Sequence, residues 1–357
     1  MRPISFLIGL LALLSCSSSS DTTTSPEPQP EAAYFPPLTG TEWETKTAAS
    51  LGWDETALQP LLDYLELKHS KSFMILVNGR IVVEHYFNGH TATSPWYWAS
   101  AGKTLTATTF GITEQEGFVS RGDRVSEYLG TGWTSMPLAK ENLITNRHLL
   151  TMTSGIEDLA NGDCVTPDCL TYKADAGTRW AYHNVFVKLQ DVVAEATGMS
   201  YNEYFNSRLR DKIGMTGTWV VSGDNIVYWS TTRSMARFGL LALHQGKWDT
   251  QTIVNSSFFH DATTTSQNIN EAYGFLWWLN GKSTYHLPQT QYEFAGSVIP
   301  SGPSDMYMAL GKNDQKIYVV PSKKMVIVRM GDAADDVNLA LSDFDEVLWE
   351  KISALIR

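Results

Sequence analysis

Cysteine is scarce. Three residues in 357 are too few for the disulfide framework of a small secreted scaffold. No apolar stretch reaches the ~20 residues that a spanning helix needs, which removes the polytopic membrane class. Positive charge is short as well: 27 Lys plus Arg stand against 38 Asp plus Glu, a formal charge of −11. No basic stripe gathers locally either, so the electrostatic footprint of a nucleic-acid binder is missing. Internal repeats and heptad runs are absent, which excludes solenoids and coiled coils. What remains is a globular composition, 43% hydrophobic and 11% aromatic, with a length of about two domains' worth of material.

The N-terminus reads as an export signal. Arg2 precedes an apolar run from Ile4 to Leu14, too short to span a bilayer and right for a secretory h-region. Leu13-Leu14-Ser15-Cys16 resembles a bacterial lipobox, in which the cysteine is acylated and becomes the first mature residue. The alternative is an ordinary signal cut a few residues later, with Cys16 discarded. Residues 1–15 are therefore expected to be a signal peptide and Cys16 the lipid attachment site of an exported lipoprotein on the periplasmic side of the envelope. Ser17 resembles the outer-membrane address. From Ser17 to about Pro37 the chain is Ser, Thr, Pro and Glu with almost no aliphatics. It cannot bury enough apolar surface to offset its ordering entropy, so residues 16–40 are expected to be a tether. Export also gives Cys164 and Cys169 a meaning. Their C-x4-C spacing is no zinc pattern, and in an oxidising compartment they are expected to form a structural disulfide.

Periodicity outlines a single domain over 41–357. Residues 73–77 and 81–86 are β-rich runs around Asn78-Gly79-Arg80, a hairpin signature. Lys316–Val320 and Met325–Arg329 repeat the theme around Pro321, and Phe344, Val347, Leu348, Ile352 and Leu355 follow at helical spacing. The middle is helical instead: Thr104–Gln115 stops at Gly117, Val185–Ala196 at Gly198, and Ser234–Gln245 at Gly246. Strands at both ends and helices between them predict an α/β (α+β) fold. Its sheet is built from both termini, and a mostly helical region over about 104–265 is inserted in it.

Several catalytic signatures are missing. There is no G-x-S-x-G, so the nucleophile elbow of α/β-hydrolases is excluded, and there is no H-E-x-x-H. Gly281-Lys282-Ser283 resembles the tail of a phosphate loop, but Leu276 stands where its first Gly must be. What is present is Ser100-Ala101-Gly102-Lys103, the only serine in the chain with a lysine three residues on. On a helix those positions share a face, so the amine reaches the hydroxyl. Serine needs an adjacent base to become a nucleophile, and lysine serves only if burial or nearby positive charge lowers its pKa. The apolar approach Trp96-Tyr97-Trp98-Ala99 can supply that burial. By itself such a tetrapeptide is usually a solvated helical pair.

Two further elements accompany it. Tyr182-His183-Asn184 follows a turn-rich loop and precedes a helix, where side chains are presented into clefts. Tyr86-Phe87-Asn88 and Tyr204-Phe205-Asn206 share the Tyr-x-Asn spacing but fit a hairpin end and a helix. Tyr182 as a base needs a depressed pKa and hence a cation, which Lys103 can provide. Gly311-Lys312-Asn313-Asp314-Gln315 enters a strand, and Lys312 there is either a carboxylate holder or a plain charged turn.

Taken in this order, the elements resemble the serine β-lactamase and penicillin-binding superfamily. The likeness is to the class C β-lactamase-like branch with its DD-peptidases, family VIII esterases and 6-aminohexanoate-dimer hydrolases. It runs from about Ser72 to Arg329. It includes Leu149–Gly155, similar to L-L-x-H-T-S-G with Met152 at the His position, and Thr178–Asn184, similar to G-x-x-W-x-Y-x-N. The resemblance implies a β-lactamase/transpeptidase-like fold, an antiparallel sheet flanked by terminal helices. It implies a serine hydrolase acting on an ester or amide through an acyl-enzyme, with β-lactams or cell-wall peptides as the alternative substrates and a non-catalytic cell-wall binder as the second alternative. Ser100 is then the nucleophile, Lys103 its proton partner and Tyr182 the base. Asn184 holds the acyl side, Lys312 opens the K-T-G-like box, and the backbone N–H groups of Ser100 and Gln315 form the oxyanion hole. Asp314 departs from the box's Gly and is expected to crowd the cleft and repel a substrate carboxylate. No cofactor or metal is implied, and the partner is a small ester, amide or peptide.

Overall fold

The computed structural model describes residues 31–160, 162–335 and 343–357. The signal segment, Cys16 and most of the tether lie outside the described residues. Residues 33–357 form one compact unit.

Its strands are β1 (Ser70–Val77), β2 (Arg80–Tyr86), β3 (Trp96–Tyr97), β4 (Thr218–Ser222), β5 (Asn225–Ser230), β6 (Lys247–Trp248) and β7 (Gln251–Thr252). They continue as β8 (Trp278–Leu279), β9 (Thr284–His286), β10 (Glu293–Ala295), β11 (Tyr307–Gly311), β12 (Gln315–Val320) and β13 (Met325–Gly331). Among the described residues, five helices reach ten residues: α1 (Leu58–Leu67), α2 (Lys103–Gln115), α3 (Lys188–Thr197), α4 (Thr232–Leu243) and α5 (Phe344–Leu355).

The main sheet has the order β2-β1-β13-β12-β11-β8, antiparallel throughout. The β1–β2 hairpin closes on Asn78 and Gly79 with φ of 50° and 86°, the left-handed pair that a two-residue hairpin turn demands. Gly79 is also required for space, because a Cβ there would sit 1.8 Å from the Tyr34 carbonyl oxygen. Alternation along β12 sorts the layers. Lys316 and Tyr318 both bond Asp345 of α5 on one face, while Ile317 meets Gly239 of α4 on the other. Helices α1 and α5 pack together, and α4 lies against β12 and β13. The sheet is thus assembled from both ends of the domain, as the hydrophobic pattern predicts. Between β2 and β8 run α2, α3, α4 and the small sheet β3-β5-β4.

Helix α2 is buried from Lys103 to Thr113 although rich in threonine. Four of its five hydroxyls bond carbonyls one turn back: Thr104 donates to the Ala101 carbonyl at 2.7 Å, and Thr108, Thr109 and Thr113 donate to carbonyls four residues back at 2.8 Å, while Thr106 accepts from the Gln190 amide at 3.0 Å. A threonine-rich segment can therefore cross the core without orphaned polar groups. Cys164 and Cys169 form a disulfide with Cα atoms 5.9 Å apart. No helix among the described residues is long and apolar enough to cross a membrane.

Candidate active site

Ser100 lies in a short 3-10 turn, Ala99–Gly102, that runs into α2. Ala99 has φ 46°, an uncommon value for a residue with a Cβ. This left-handed step turns the chain from β3 into the helix and leaves Ser100 half-buried at its entrance. The Lys103 ammonium nitrogen lies 2.7 Å from Ser100 Oγ. Lys103 is 7% exposed and sits over the rings of Tyr182 and Phe186, at 4.7 and 4.5 Å from their centroids. Burial pulls its pKa down to about 7, against an opposing pull from the Asp163 carboxylate.

Tyr182 follows the opposite trend. Burial pushes its phenol up to about 12, and the hydrogen bond with Ser100 only partly offsets that. The depressed value expected for a tyrosine base is not what the site produces. The ring is held by Trp278 at 5.9 Å and by Trp180 and Tyr273, each at 6.2 Å. The segment carrying it is pinned from behind: Ala181 N–H donates to the Met152 carbonyl at 2.8 Å, and His183 N–H to the Met152 sulfur at 3.5 Å. His183, buried, accepts from Val185 N–H through Nδ1 at 3.1 Å and so caps the following turn.

Asn184 sits two residues on, but its amide is committed elsewhere. It donates to the Asp163 carbonyl at 2.8 Å and to the Asp224 carbonyl at 3.3 Å. Its side-chain N–H groups therefore hold the disulfide loop and the β4–β5 turn rather than a substrate's acyl group, a correction to the role implied by resemblance. Asn225 completes this tie by donating to the Asp163 carboxylate at 2.8 Å.

The end of β11 closes the other side. A Cβ on Gly311 would lie 2.4 Å from the Trp98 carbonyl oxygen and 3.0 Å from Ala101 N, so the strand touches the turn that bears Ser100. This is the close approach for which a box glycine is needed, and it falls at Gly311 rather than at position 314. Lys312, the next residue, is exposed. Asn313 has φ 59° and donates to the Tyr97 hydroxyl at 2.7 Å.

Gln315 is fully buried at the start of β12, paired with Gly311. Its side chain donates to the Gly331 carbonyl at 2.6 Å and the Asn313 carbonyl at 2.8 Å, and it accepts from Gly331 N–H. Gln315 braces the turn from inside and does not line the cleft. Asp314 also turns inward. It is 5% exposed, 3.2 Å from Lys316, and accepts from Ala334 N–H at 3.0 Å. Burial pushes its pKa up, but Lys316, the Ala334 bond and Arg329 together hold it below the usual carboxylate value. The expected crowding of the cleft by Asp314 therefore does not occur.

Sequence reasoning passed over the aromatic wall of Trp180, Tyr273 and Trp278 and the clamp at Arg329, which donates to the Asn313 and Asp314 carbonyls at 2.9 and 3.1 Å. Trp180 alone was visible as part of a motif. Among the described residues, no group of three or more His, Cys, Asp or Glu could hold a metal ion.

Comparison with known proteins bears on the family and the fold. The β-lactamase family model matches residues 68–337. An uncharacterized protein of Alkalihalophilus pseudofirmus is 26% identical over 297 residues, 72% of this chain and 82% of that one. A Bacillus anthracis structure titled as a 6-aminohexanoate-dimer hydrolase superposes with a TM-score of 0.68 at 19% identity, covering 88% of this chain and 87% of that one. EstCE1, described as a hydrolase with promiscuous acyltransferase activity, superposes at 0.62 with 11% identity, covering 85% and 99%. Both of these structures carry the word hydrolase in their descriptions. With the family match spanning most of the chain and the antiparallel sheet and Ser100 turn in place, the protein belongs to the β-lactamase family of the serine β-lactamase and penicillin-binding superfamily.

Proposed function

We propose that the protein is a serine hydrolase that cleaves a carboxylic ester or amide through an acyl-enzyme on Ser100. One observation carries this reading: a lysine buried to a pKa of about 7 lies 2.7 Å from the hydroxyl of a half-buried serine. A neutral amine can take the serine proton as the hydroxyl attacks, which is how a weak nucleophile becomes competent. Tyr182, kept as a phenol, gives its proton to the leaving oxygen or nitrogen and is reprotonated from Lys103. The net transfer is the Ser100 proton to the leaving group. Base and acid are thus exchanged relative to the roles that the resemblance implies for Lys103 and Tyr182.

The oxyanion donors in this reading are the N–H groups of Ser100 and Lys312. Gly311 packed against the Ser100 turn supports Lys312 over Gln315. Deacylation repeats the same proton path with water as the nucleophile. The disulfide suits an oxidising compartment, and we retain the exported, Cys16-anchored lipoprotein on the periplasmic side as part of the proposal.

A second reading, hydrolysis of β-lactams or cell-wall peptides, is favoured by the exposed Lys312 cation beside this turn and by Asp314 facing away. Intact mass and rates with p-nitrophenyl butyrate and with nitrocefin separate the two. Ester turnover without nitrocefin hydrolysis supports the first reading, whereas nitrocefin turnover or a stable Ser100 adduct supports the second. No adduct and no turnover with either, matching Ser100→Ala, overturns both in favour of a binding protein.

A further inference from the structure

Asn313 follows Lys312 in the turn between β11 and β12, and its backbone is in an uncommon place. It has φ 59°, and Asp314 follows with φ 58°, two left-handed steps in succession by residues that carry a Cβ. Such conformations persist only where the surroundings over-determine them, and they gather at functional sites. Arg329 and Gln315 hold the turn from inside the sheet. Arg329, fully buried, donates to the carbonyls of Asn313 and Asp314 at 2.9 and 3.1 Å, and the Gln315 amide donates to the Asn313 carbonyl at 2.8 Å. The Asn313 side chain leaves this clamp and crosses to β3, where it donates to the Tyr97 hydroxyl at 2.7 Å.

Tyr97 is a firm post for that bond. It pairs with Trp229 across the β3–β5 ladder, and its ring lies 5.5 Å from that of Trp229 and 5.3 Å from that of Trp96. Tyr97 stands three residues before Ser100, and Asn313 one residue after Lys312. Together with the packing of Gly311 on the Trp98 carbonyl, the bond closes a short ring between the two N–H groups proposed as oxyanion donors. Its two ends are 216 residues apart in the chain, so no local structure sets the spacing of those donors. Both must lie within hydrogen-bond reach of the same oxygen, and a displacement of about 1 Å can cost on the order of a hundredfold in rate.

We propose that Tyr97 is a positioning residue: through its hydrogen bond with Asn313 it sets the spacing of the Ser100 and Lys312 N–H groups, and so the strength of the oxyanion hole. As Ser100 Oγ bonds the substrate's carbonyl carbon, the carbonyl π pair moves onto oxygen and the Ser100 proton moves to Lys103. The negative oxygen then takes its hydrogen bonds from the two N–H groups. Nothing is oxidised or reduced, and no co-reactant is needed. The inference rests on the proposed serine-hydrolase reading and adds to it what holds the two donors in register.

Tyr97→Phe keeps the ring and removes the bond. Acylation and deacylation both pass through an oxyanion, so the quantity to follow is kcat/KM for p-nitrophenyl butyrate, which reports acylation whatever the later rate. It is expected to fall about tenfold to a hundredfold. A trifluoromethyl propyl ketone carries the same acyl chain and adds to Ser100 as a tetrahedral oxyanion. Its affinity should fall by the same factor to within about twofold. Asn313→Gly breaks the bond from its other end and suits the left-handed backbone. In that background Tyr97→Phe should cost no more than about twofold further, because the shared bond is already gone. The melting temperature of Tyr97→Phe should stay within about 2 °C of the wild type, since the residue is only half-buried. An unchanged kcat/KM, a fall without the matching loss of ketone affinity, or an undiminished loss in the Asn313→Gly background would overturn the role of Tyr97. Failure of a fluorophosphonate to label Ser100 in the wild-type protein would instead overturn the underlying reading.

Discussion

The side-chain amide of Asn184 donates to the main-chain carbonyl of Asp163 at 2.8 Å. That bond fixes the loop beside the disulfide so that the Asp163 carboxylate acts on Lys103, the one influence opposing the burial that keeps its amine near neutrality. Asp163 is therefore a handle on the pH profile. Removing its charge lowers the pKa of Lys103 further, so the neutral amine persists to lower pH. The acid limb of kcat/KM for Asp163→Asn is expected to move below that of the wild type, which should lie near pH 7. A pH series of ester hydrolysis measures both limbs, and an unmoved or upward-shifted limb would rule this coupling out.

Lys103 also governs stability, with a definite sign. Its folded pKa of about 7 lies below the ordinary lysine value of 10.5, so between those pH values the unfolded chain holds a proton that the folded chain has released. Stability from this group therefore rises with pH from about 7 toward about 10 and is lost as pH falls through 7. Lys103→Met should abolish turnover. At neutral pH it should leave the fold as stable or more so, by roughly 1–4 kcal/mol. Melting temperatures across pH 6 to 10 check this: the variant should lack the wild-type rise, and a variant destabilised throughout would show that the amine is held charged.

The disulfide gives a third outcome. Cys164 and Cys169 close a loop of few residues, worth about 2 kcal/mol in the chain-entropy model. Asn184 and Asn225 tether the same loop through Asp163. Cys164→Ser with Cys169→Ser should lower stability by less than that figure while shifting the acid limb of activity, because the loop that positions Asp163 is loosened. Urea unfolding together with the pH profile separates the effects, and a stability loss with no change in the profile would detach the loop from the site.

How much of this could be read from the chain follows from the range of each interaction. Ser100 and Lys103 are three residues apart, so one helical turn brings them together and spacing suffices to find them. The Asn78-Gly79 turn and the amphipathic α3, α4 and α5 were legible for the same local reason. Asn184 and Gln315 were visible as motif positions, but their hydrogen bonds go to carbonyls at Asp163, Asp224 and Gly331, and no local pattern encodes such partners. Tyr273 and Trp278 sit on a short edge strand and its approach, and only the fold brings them to Tyr182. The neutral phenol at Tyr182 was hidden too, since its pKa reflects burial rather than neighbouring residue types.

Asp314 shows how far the structure changes an expectation. With its side chain in the open cleft, Asp314→Gly would admit carboxylate-bearing substrates and raise activity toward β-lactams. The carboxylate instead lies in a buried group with Lys316, which also bonds Asp345 of α5 at 2.7 Å. Breaking a buried pair leaves charge uncompensated, though here Lys316 keeps Asp345 as a partner, so the loss is smaller than for an isolated pair. Glycine also suits the left-handed φ of 58° at this position, which returns part of the loss. Asp314→Gly is accordingly expected to destabilise the protein by about 1–3 kcal/mol and to leave nitrocefin hydrolysis unchanged. Urea unfolding and nitrocefin rates measure the two arms. A gain in nitrocefin rate at unaltered stability would put the carboxylate back in the cleft.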